Sequence, residues 1–337
     1  MYLIGFATDY DGTLAHHGRV DAAAVAALER LKASGRKLVM VTGRELPDLE
    51  RVFARLDLFD AVVAENGSLL HFPGSREDLV LSAAPPAELV DALRAKGVAP
   101  LSVGRGIVAT WEPNEAAVLD CIHELGLEWQ IIFNKGAVMV LPPGVNKATG
   151  LAAALEALEL SPLNVLAIGD AENDHAFLTA SGCSVAVANA LDAVKATADV
   201  VTTADHGAGV IETIEALLAD ETAYALRAAD RHRILPGPDE TAALRVSDGA
   251  VLITGSSGVG KSALATAIIE KLAARSFQVC VLDPEGDYDD LPDAIVLGNA
   301  ERAPTPDEVV DILRKPGGPP IVVVMLGLSA RDRPGLF

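Results

Sequence analysis

The sequence is poor in basic residues, with 27 Lys and Arg against 47 Asp and Glu, a formal net charge of −20. Because nucleic acid is held mainly through Lys and Arg contacts to phosphate, this balance gives no support to broad nucleic-acid binding. Cysteine is equally scarce. Cys121, Cys183 and Cys280 lie far apart without metal-ligand spacing, which excludes a disulfide framework and reads as buried thiols in a reducing cytosol. Long apolar runs are missing as well: the opening run is broken at Asp9, and 321–326 is far short of the roughly 20 residues of a membrane helix. A soluble, cytoplasmic protein without a membrane partner is expected. Aromatics make up 4 % of residues, in keeping with an alanine-rich composition, while apolar residues reach 50 %, enough for a substantial core. Alanine-rich helical segments alternate with Val/Ile/Leu runs, so α/β layering is expected, and 337 residues allow two or three domains.

What is present begins with Ala7-Thr8-Asp9-Tyr10-Asp11-Gly12-Thr13-Leu14. Side chains at i and i+2 of an extended segment share a side, so Asp9 and Asp11 are expected to enter one crevice. Two such anions call for a cation, and Mg2+ accepts carboxylate oxygens while leaving room for a phosphate. Further partners follow in order. Leu38-Val39-Met40-Val41 delivers Thr42-Gly43-Arg44, Gly144-Val145-Asn146 precedes Lys147, and Val165-Leu166-Ala167-Ile168 delivers Gly169-Asp170-Ala171-Glu172-Asn173-Asp174. In open parallel α/β sheets ligands bind at the carboxyl ends of strands, and here each strand ends in polar groups. Four aspartates against one lysine would repel a phosphate dianion unless a metal ion sat among them. Seven histidines form no ligand cluster; His16, His17 and His175 read as solvated.

These four motifs, with Ala64-Glu65-Asn66-Gly67 and Val185-Ala186-Val187-Ala188-Asn189-Ala190, resemble the haloacid dehalogenase superfamily of phosphatases, type IIB, over about residues 1–215. The resemblance implies a Rossmann-like parallel sheet core (1–82 and 146–217) with an inserted α/β cap of the C2 type (83–145). It implies that Asp9 attacks phosphorus and forms an aspartyl-phosphate, and that Asp11 serves as general acid and then base. Thr42, Gly43, Lys147 and Asn173 would hold phosphate, though Asn173 reads equally as a helix cap. Asp9, Asp11 (through its carbonyl), Asp170 and Asp174 would surround Mg2+, Asp174 as ligand, water holder or orienter of Lys147. Arg44, Glu65 and Asn66 lie near the crevice by motif position. In the cap, helices near 86–95 and 114–125 and strands near 101, 107–111, 129–133 and 138–141 are expected, with Arg105, Trp111, Glu128, Trp129 and Asn134 as candidate contacts. A short cap favours a small phosphorylated metabolite, a sugar phosphate or a phosphoglycolate-like acid.

Residues 218–246 read as a linker, with the break Leu235-Pro236-Gly237-Pro238. An expected strand, Val251-Leu252-Ile253-Thr254, then runs into the full phosphate-binding loop Gly255-Ser256-Ser257-Gly258-Val259-Gly260-Lys261-Ser262 and a helix over about 263–274. Such a loop wraps a nucleotide phosphate in backbone amides, adds the Lys261 charge and offers Ser262 to Mg2+. With Asp283-Pro284-Glu285-Gly286 after the next strand, residues 247–337 resemble the central ATPase domain of the HerA type, which implies ATP with Mg2+. Asp283 and Glu285 read either as metal or water contacts or as polar residues ending a strand. The later strand with paired acidic residues that the resemblance requires is missing, so a partial P-loop domain at the front of a longer protein is expected. The sequence thus suggests a Mg2+-dependent phosphomonoesterase with an appended ATP-binding domain. The alternative is a HerA-like ATPase or kinase module whose first domain senses a phosphorylated ligand.

Overall fold

The computed structural model describes residues 3–220, 222, 224, 228, 232–235, 243–246, 250–315, 317–329 and 331–333. The chain divides into two units, Met1–Ala228 and Ala229–Phe337. Much of the expected linker, including Pro236-Gly237-Pro238, lies outside the described residues.

The first unit is built on β1 (Gly5–Asp9), α1 (Ala22–Ala33), β2 (Lys37–Val41), α2 (Leu46–Val52), β3 (Ala61–Ala64), β4 (Leu69–Phe72) and β5 (Glu77–Val80). After the cap come α5 (Lys147–Ala157), β10 (Val165–Gly169), α6 (His175–Ala180), β11 (Cys183–Ala186), α7 (Asp192–Thr197), β12 (Val200–Val201) and α8 (His206–Ala219). One eight-stranded sheet has the order β12-β11-β10-β1-β2-β3-β4-β5, parallel as far as β3 and antiparallel through β4 and β5. Every residue of β1, β3, β10 and β11 is buried, as strands covered on both faces require. Strand order reverses at β1, the switch point where open α/β sheets leave a crevice.

The cap comprises α3 (Ala87–Ala95), β6 (Ser102–Val103), β7 (Val108–Trp111), α4 (Glu115–Glu124), β8 (Gln130–Asn134) and β9 (Ala137–Leu141), with the antiparallel order β6-β7-β9-β8. Each expected cap element is present within about a residue or two of its expected position. Alternation along β7 and β9 separates two faces. Val108, Val138 and Val140 pack with Leu89, Leu93, Val118 and Cys121 of the helices, whereas Ile107, Met139 and Leu141 form a second cluster on the opposite face.

The second unit contains β13 (Arg233–Ile234), β14 (Leu244–Arg245), α9 (Lys261–Ala273), β15 (Cys280–Asp283), β16 (Ile295–Leu297), α10 (Pro306–Leu313) and β17 (Ile321–Val324). Its parallel sheet has the order β15-β17-β16, and β17 alone is buried throughout. Two expectations are corrected here. Val251-Leu252-Ile253-Thr254 forms no strand; Leu252 is 86 % exposed, and without a ladder partner an isolated extended run has nothing to bury its side chains. Cys280 is exposed, unlike Cys121 and Cys183, because it lies on the outward-facing side of the edge strand β15. The helix after the loop begins at Lys261, two residues earlier than expected.

Candidate active site

Strand register brings the motif residues level. Asp9 lies opposite Val41 and Thr8 opposite Ile168, so Thr42 and Asp170 leave their strands beside the end of β1. Lys147 arrives from the start of α5, which is fixed by a capping box: Asn146 Oδ1 accepts from Ala148 N at 2.9 Å and Thr149 N at 3.1 Å, and Thr149 Oγ1 accepts from Asn146 N at 3.0 Å. The buried Lys147 ammonium donates to Asp9 Oδ1 and Asp174 Oδ1, each at 2.5 Å. The second oxygen of Asp174 accepts the backbone N–H groups of Asp170 (2.8 Å) and Ala171 (2.9 Å). Asp174 is thereby positioned to orient Lys147.

One carboxylate oxygen from each of Asp9, Asp170 and Asp174 lies within 4.8 Å of the others, and all three residues are buried. Burial pushes the Asp9 carboxyl well above the usual range; Lys147 opposes this, and the Asp174 and Asp170 charges add to it. Asp170 is also raised, by burial first, against the hydrogen bond from Lys135. Burial would depress the Lys147 ammonium, but Asp174 and Asp9 outweigh it and hold its pKa above the ordinary lysine range. Among the described residues, Lys147 and Lys135 are the ammonium groups bonded to the trio, which leaves one negative charge uncompensated when all three are ionised. Hard oxygen donors with an excess negative charge, costly to bury alone, fit a small divalent cation such as Mg2+. Thr13 Oγ1 donates to Asp170 Oδ1 at 2.9 Å and steadies that carboxylate.

Asp11 sits apart from the trio. Its oxygens accept Arg44 Nε at 2.5 Å and Nη2 at 2.8 Å, and Arg44 Nη1 reaches Asp48. Thr42 is buried, and its Oγ1 accepts from Arg44 N at 3.1 Å. Nearby, Asn173 Nδ2 donates to Asn66 Oδ1 at 2.9 Å, while buried Asn66 Nδ2 and Asn173 Oδ1 have no partner. Such orphaned buried amide groups await a ligand or water. Glu65 was expected near the substrate. Its buried carboxylate accepts the cap amides of Arg105 (3.1 Å) and Gly106 (2.8 Å), tying the core to the cap.

A cavity of about 800 Å³ is bounded by Asp9, Asp11, Thr42 and Arg44 of the core and by cap residues including Met139 and Lys135. Trp111 and Asn134 also line it, and Asn134 Oδ1 is buried without a partner. Of the other cap candidates, Arg105 pairs with Asp78, Glu128 is exposed, and Trp129 packs on the helix-facing side. His16 and His17 are exposed, and His16 stacks on His206. One contributor escaped the motif reading, and another stood in a motif without its role. Lys135 carried no motif, only its place at a cap hairpin tip, and Asn189, part of a quoted signature, donates to Gly12 O at 2.7 Å and so holds the loop after Asp11.

In the second unit the loop 255–262 is mostly exposed, and Lys261 Nζ donates to Ser256 O at 3.0 Å. Asp283 is buried and accepts from the N–H groups of Glu285 (3.2 Å), Gly286 (2.7 Å) and Tyr288 (2.9 Å). Burial would raise its pKa, but these amides prevail and hold it below the usual range. Asp283 therefore organises its own turn, and Glu285 is exposed.

An open, mainly parallel sheet whose strand ends gather carboxylates beneath an inserted α/β cap defines a capped class of α/β protein. Residues 6–95 and 122–214 match the model of the haloacid dehalogenase-like hydrolases, and the chain belongs to that family. Residues 247–328 match the central domain of the helicase HerA. The phosphoglycolate phosphatase of Methanothermobacter thermautotrophicus is 34 % identical over 218 residues, spanning 62 % of this chain and 96 % of that protein. Phosphoglycolate phosphatase 2 of Saccharolobus solfataricus is 31 % identical over 224 residues, spanning 63 % of this chain and 91 % of that protein. The solved structure of a subclass IIB sugar phosphatase of the same superfamily shares the fold, with a TM-score of 0.52 at 22 % identity, over 64 % of this chain and 98 % of that one. No described helix is long and apolar enough to cross a membrane.

Proposed function

We propose that the first unit is a Mg2+-dependent phosphatase of a small phosphomonoester, a sugar phosphate or a phosphoglycolate-like acid. The observation that carries this reading is the convergence of Asp9, Asp170 and Asp174, buried and within reach of one cation, beside Thr42 and Lys147. Asp9 and Asp170, with the Asp11 carbonyl, would hold the ion, which when bound offsets carboxylate charge and polarises phosphoryl oxygens. Asp9 attacks phosphorus, the ester P–O bond breaks, and Asp11 gives its proton to the departing oxygen. Water then attacks phosphorus, Asp11 takes a proton from it, and the bond to Asp9 breaks to release orthophosphate. For these steps Asp11 must leave Arg44, whose second anchor, Asp48, keeps the guanidinium in place. Thr42, Gly43 and Lys147 hold the transferring oxygens where charge spreads in the transition state. The unpaired amide groups of Asn66 and Asn173 face a phosphate or substrate oxygen in this reading. Arg44 contacts the substrate, and Glu65 holds the cap closed.

The second unit takes ATP with Mg2+ at Gly255–Ser262, a reading supported by the complete loop motif and by the HerA central-domain match. Asp283 serves there as a structural residue. A screen of phosphorylated metabolites, with Mg2+ and with chelator, tests the first reading. Phosphate release from no ester overturns it in favour of a ligand-sensing domain, and equal release with chelator overturns the Mg2+ dependence.

A further inference from the structure

The cap hairpin β8–β9 is closed by a two-residue turn, Lys135-Gly136, since Asn134 pairs directly with Ala137. Both turn residues have positive φ, +49° and +85°, the backbone of the tight turns that suit twisted hairpins. This turn directs the Lys135 ammonium onto Asp170 Oδ2. A Cβ on Gly12 would collide with both Lys135 Nζ and Asp170 Oδ2, so the ammonium occupies space that the glycine leaves open. The pair is asymmetric: the Asp170 side chain is 0 % exposed and that of Lys135 43 %. The carboxylate cannot leave, whereas the lysine can swing into solvent or cavity.

Asp170 belongs to the trio that fits a divalent ion, and Lys135 bonds one of its oxygens while Thr13 bonds the other. A divalent cation held by Asp170 would lie beside that ammonium and repel it strongly. Once displaced, Lys135 meets few available anions in the cavity wall. Asp48 is bonded to Arg44 and Arg51 and Glu45 to Ser102, which leaves Asp11, freed from Arg44 in the phosphatase reading, as the carboxylate that competes for Lys135.

We infer that Lys135 is an exchangeable counter-ion of Asp170, displaced by the divalent cation into the cavity, where it selects phosphomonoesters whose leaving group carries a carboxylate. The exchange rests on the reading of the aspartate trio as a divalent-cation site, and the selection on the phosphatase reading above. Mn2+ binding to the full nucleotide-free chain, followed by the EPR signal of free Mn2+, tests the exchange, with Asp170→Asn defining binding elsewhere. Lys135→Met is expected to bind Mn2+ at least about tenfold more tightly, the scale of one adjacent unit charge at a partly exposed site, and Lys135→Arg to bind like the wild type. Unchanged or weaker binding by Lys135→Met overturns the exchange; mere damage to the cap would also weaken it. For selection, kcat/KM on 2-phosphoglycolate relative to phenyl phosphate is expected to fall about tenfold in Lys135→Met and to recover in Lys135→Arg. A ratio unchanged in Lys135→Met overturns the selection. Should the wild type hydrolyse neither ester, the selection falls whatever the metabolite screen shows of the phosphatase reading, while tighter Mn2+ binding still upholds the exchange.

Discussion

Two phosphate-type loops in this chain carry equally complete motifs, yet their surroundings differ. The crevice of the first unit lies at the ends of β1 and β10, every residue of which is buried, and its charged groups are held by hydrogen bonds from distant elements. The loop at Gly255–Ser262 follows a segment with no ladder partner and leads into α9, which has no buried residue. A motif specifies which atoms can meet a phosphate. The packing around it decides whether those atoms are held in place beforehand, and only the first site is held in this way.

The largest expected effect that would break this contrast is at Asp9. Asp9→Asn is expected to lower phosphatase kcat/KM by on the order of 10⁵–10⁶, as for other hydrolases stripped of their nucleophile, with an unchanged circular dichroism spectrum. Residual turnover near the wild-type level would remove Asp9 from the chemistry. Chelation comes next: activity is expected to vanish with EDTA and return with Mg2+.

Stability sharpens the contrast further. Lys147→Met leaves buried Asp9 and Asp174 without their shared ammonium and is expected to cost about 3–5 kcal/mol in urea unfolding. A loss below about 1 kcal/mol would mean that the pocket is wetter than its burial indicates.

The pH dependence has a definite sign. The folded Asp9 pKa is raised despite Lys147, so the folded chain keeps this proton where the unfolded chain has lost it. Its contribution to metal-free stability therefore falls as pH rises from the unfolded value through the raised folded one. Asp9→Asn, which cannot ionise, should melt higher than the wild type at neutral pH without metal. That advantage should shrink on acidification, as scanning calorimetry across the pH range would reveal.

The smallest effect belongs to the second unit. Lys261→Ala is expected to leave phosphatase turnover within about twofold of wild type, while abolishing any ATP-induced thermal shift. A large fall in phosphatase turnover would show the two sites to be energetically linked.

Most of the first site was legible in the sequence because each component is a local signal. Buried runs at 38–41 and 165–168 announce strands, and polar residues at their ends announce ligands. Less legible were the partners of those ligands. Arg44 was placed near the crevice, but its grip on Asp11 depends on how the start of α2 sits against the first loop. Glu65 matched a motif whose spacing carries no information about the cap amides forty residues away. Lys135 had no motif at all, and the exposure of Cys280 followed from the edge position of β15.

The sequence by itself determined the alternation of strands and helices, the order of the acidic and cationic motifs, and the two phosphate-type loops, since hydrophobic periodicity and turn chemistry act over a few residues. Tertiary structure decided which charges neutralise one another: Lys147 with Asp9 across 138 residues, Lys135 with Asp170 across 35, and Arg44 with Asp11 across 33. Electrostatic pairing depends on distance and burial in space, and neither is encoded in the separation of residues along the chain.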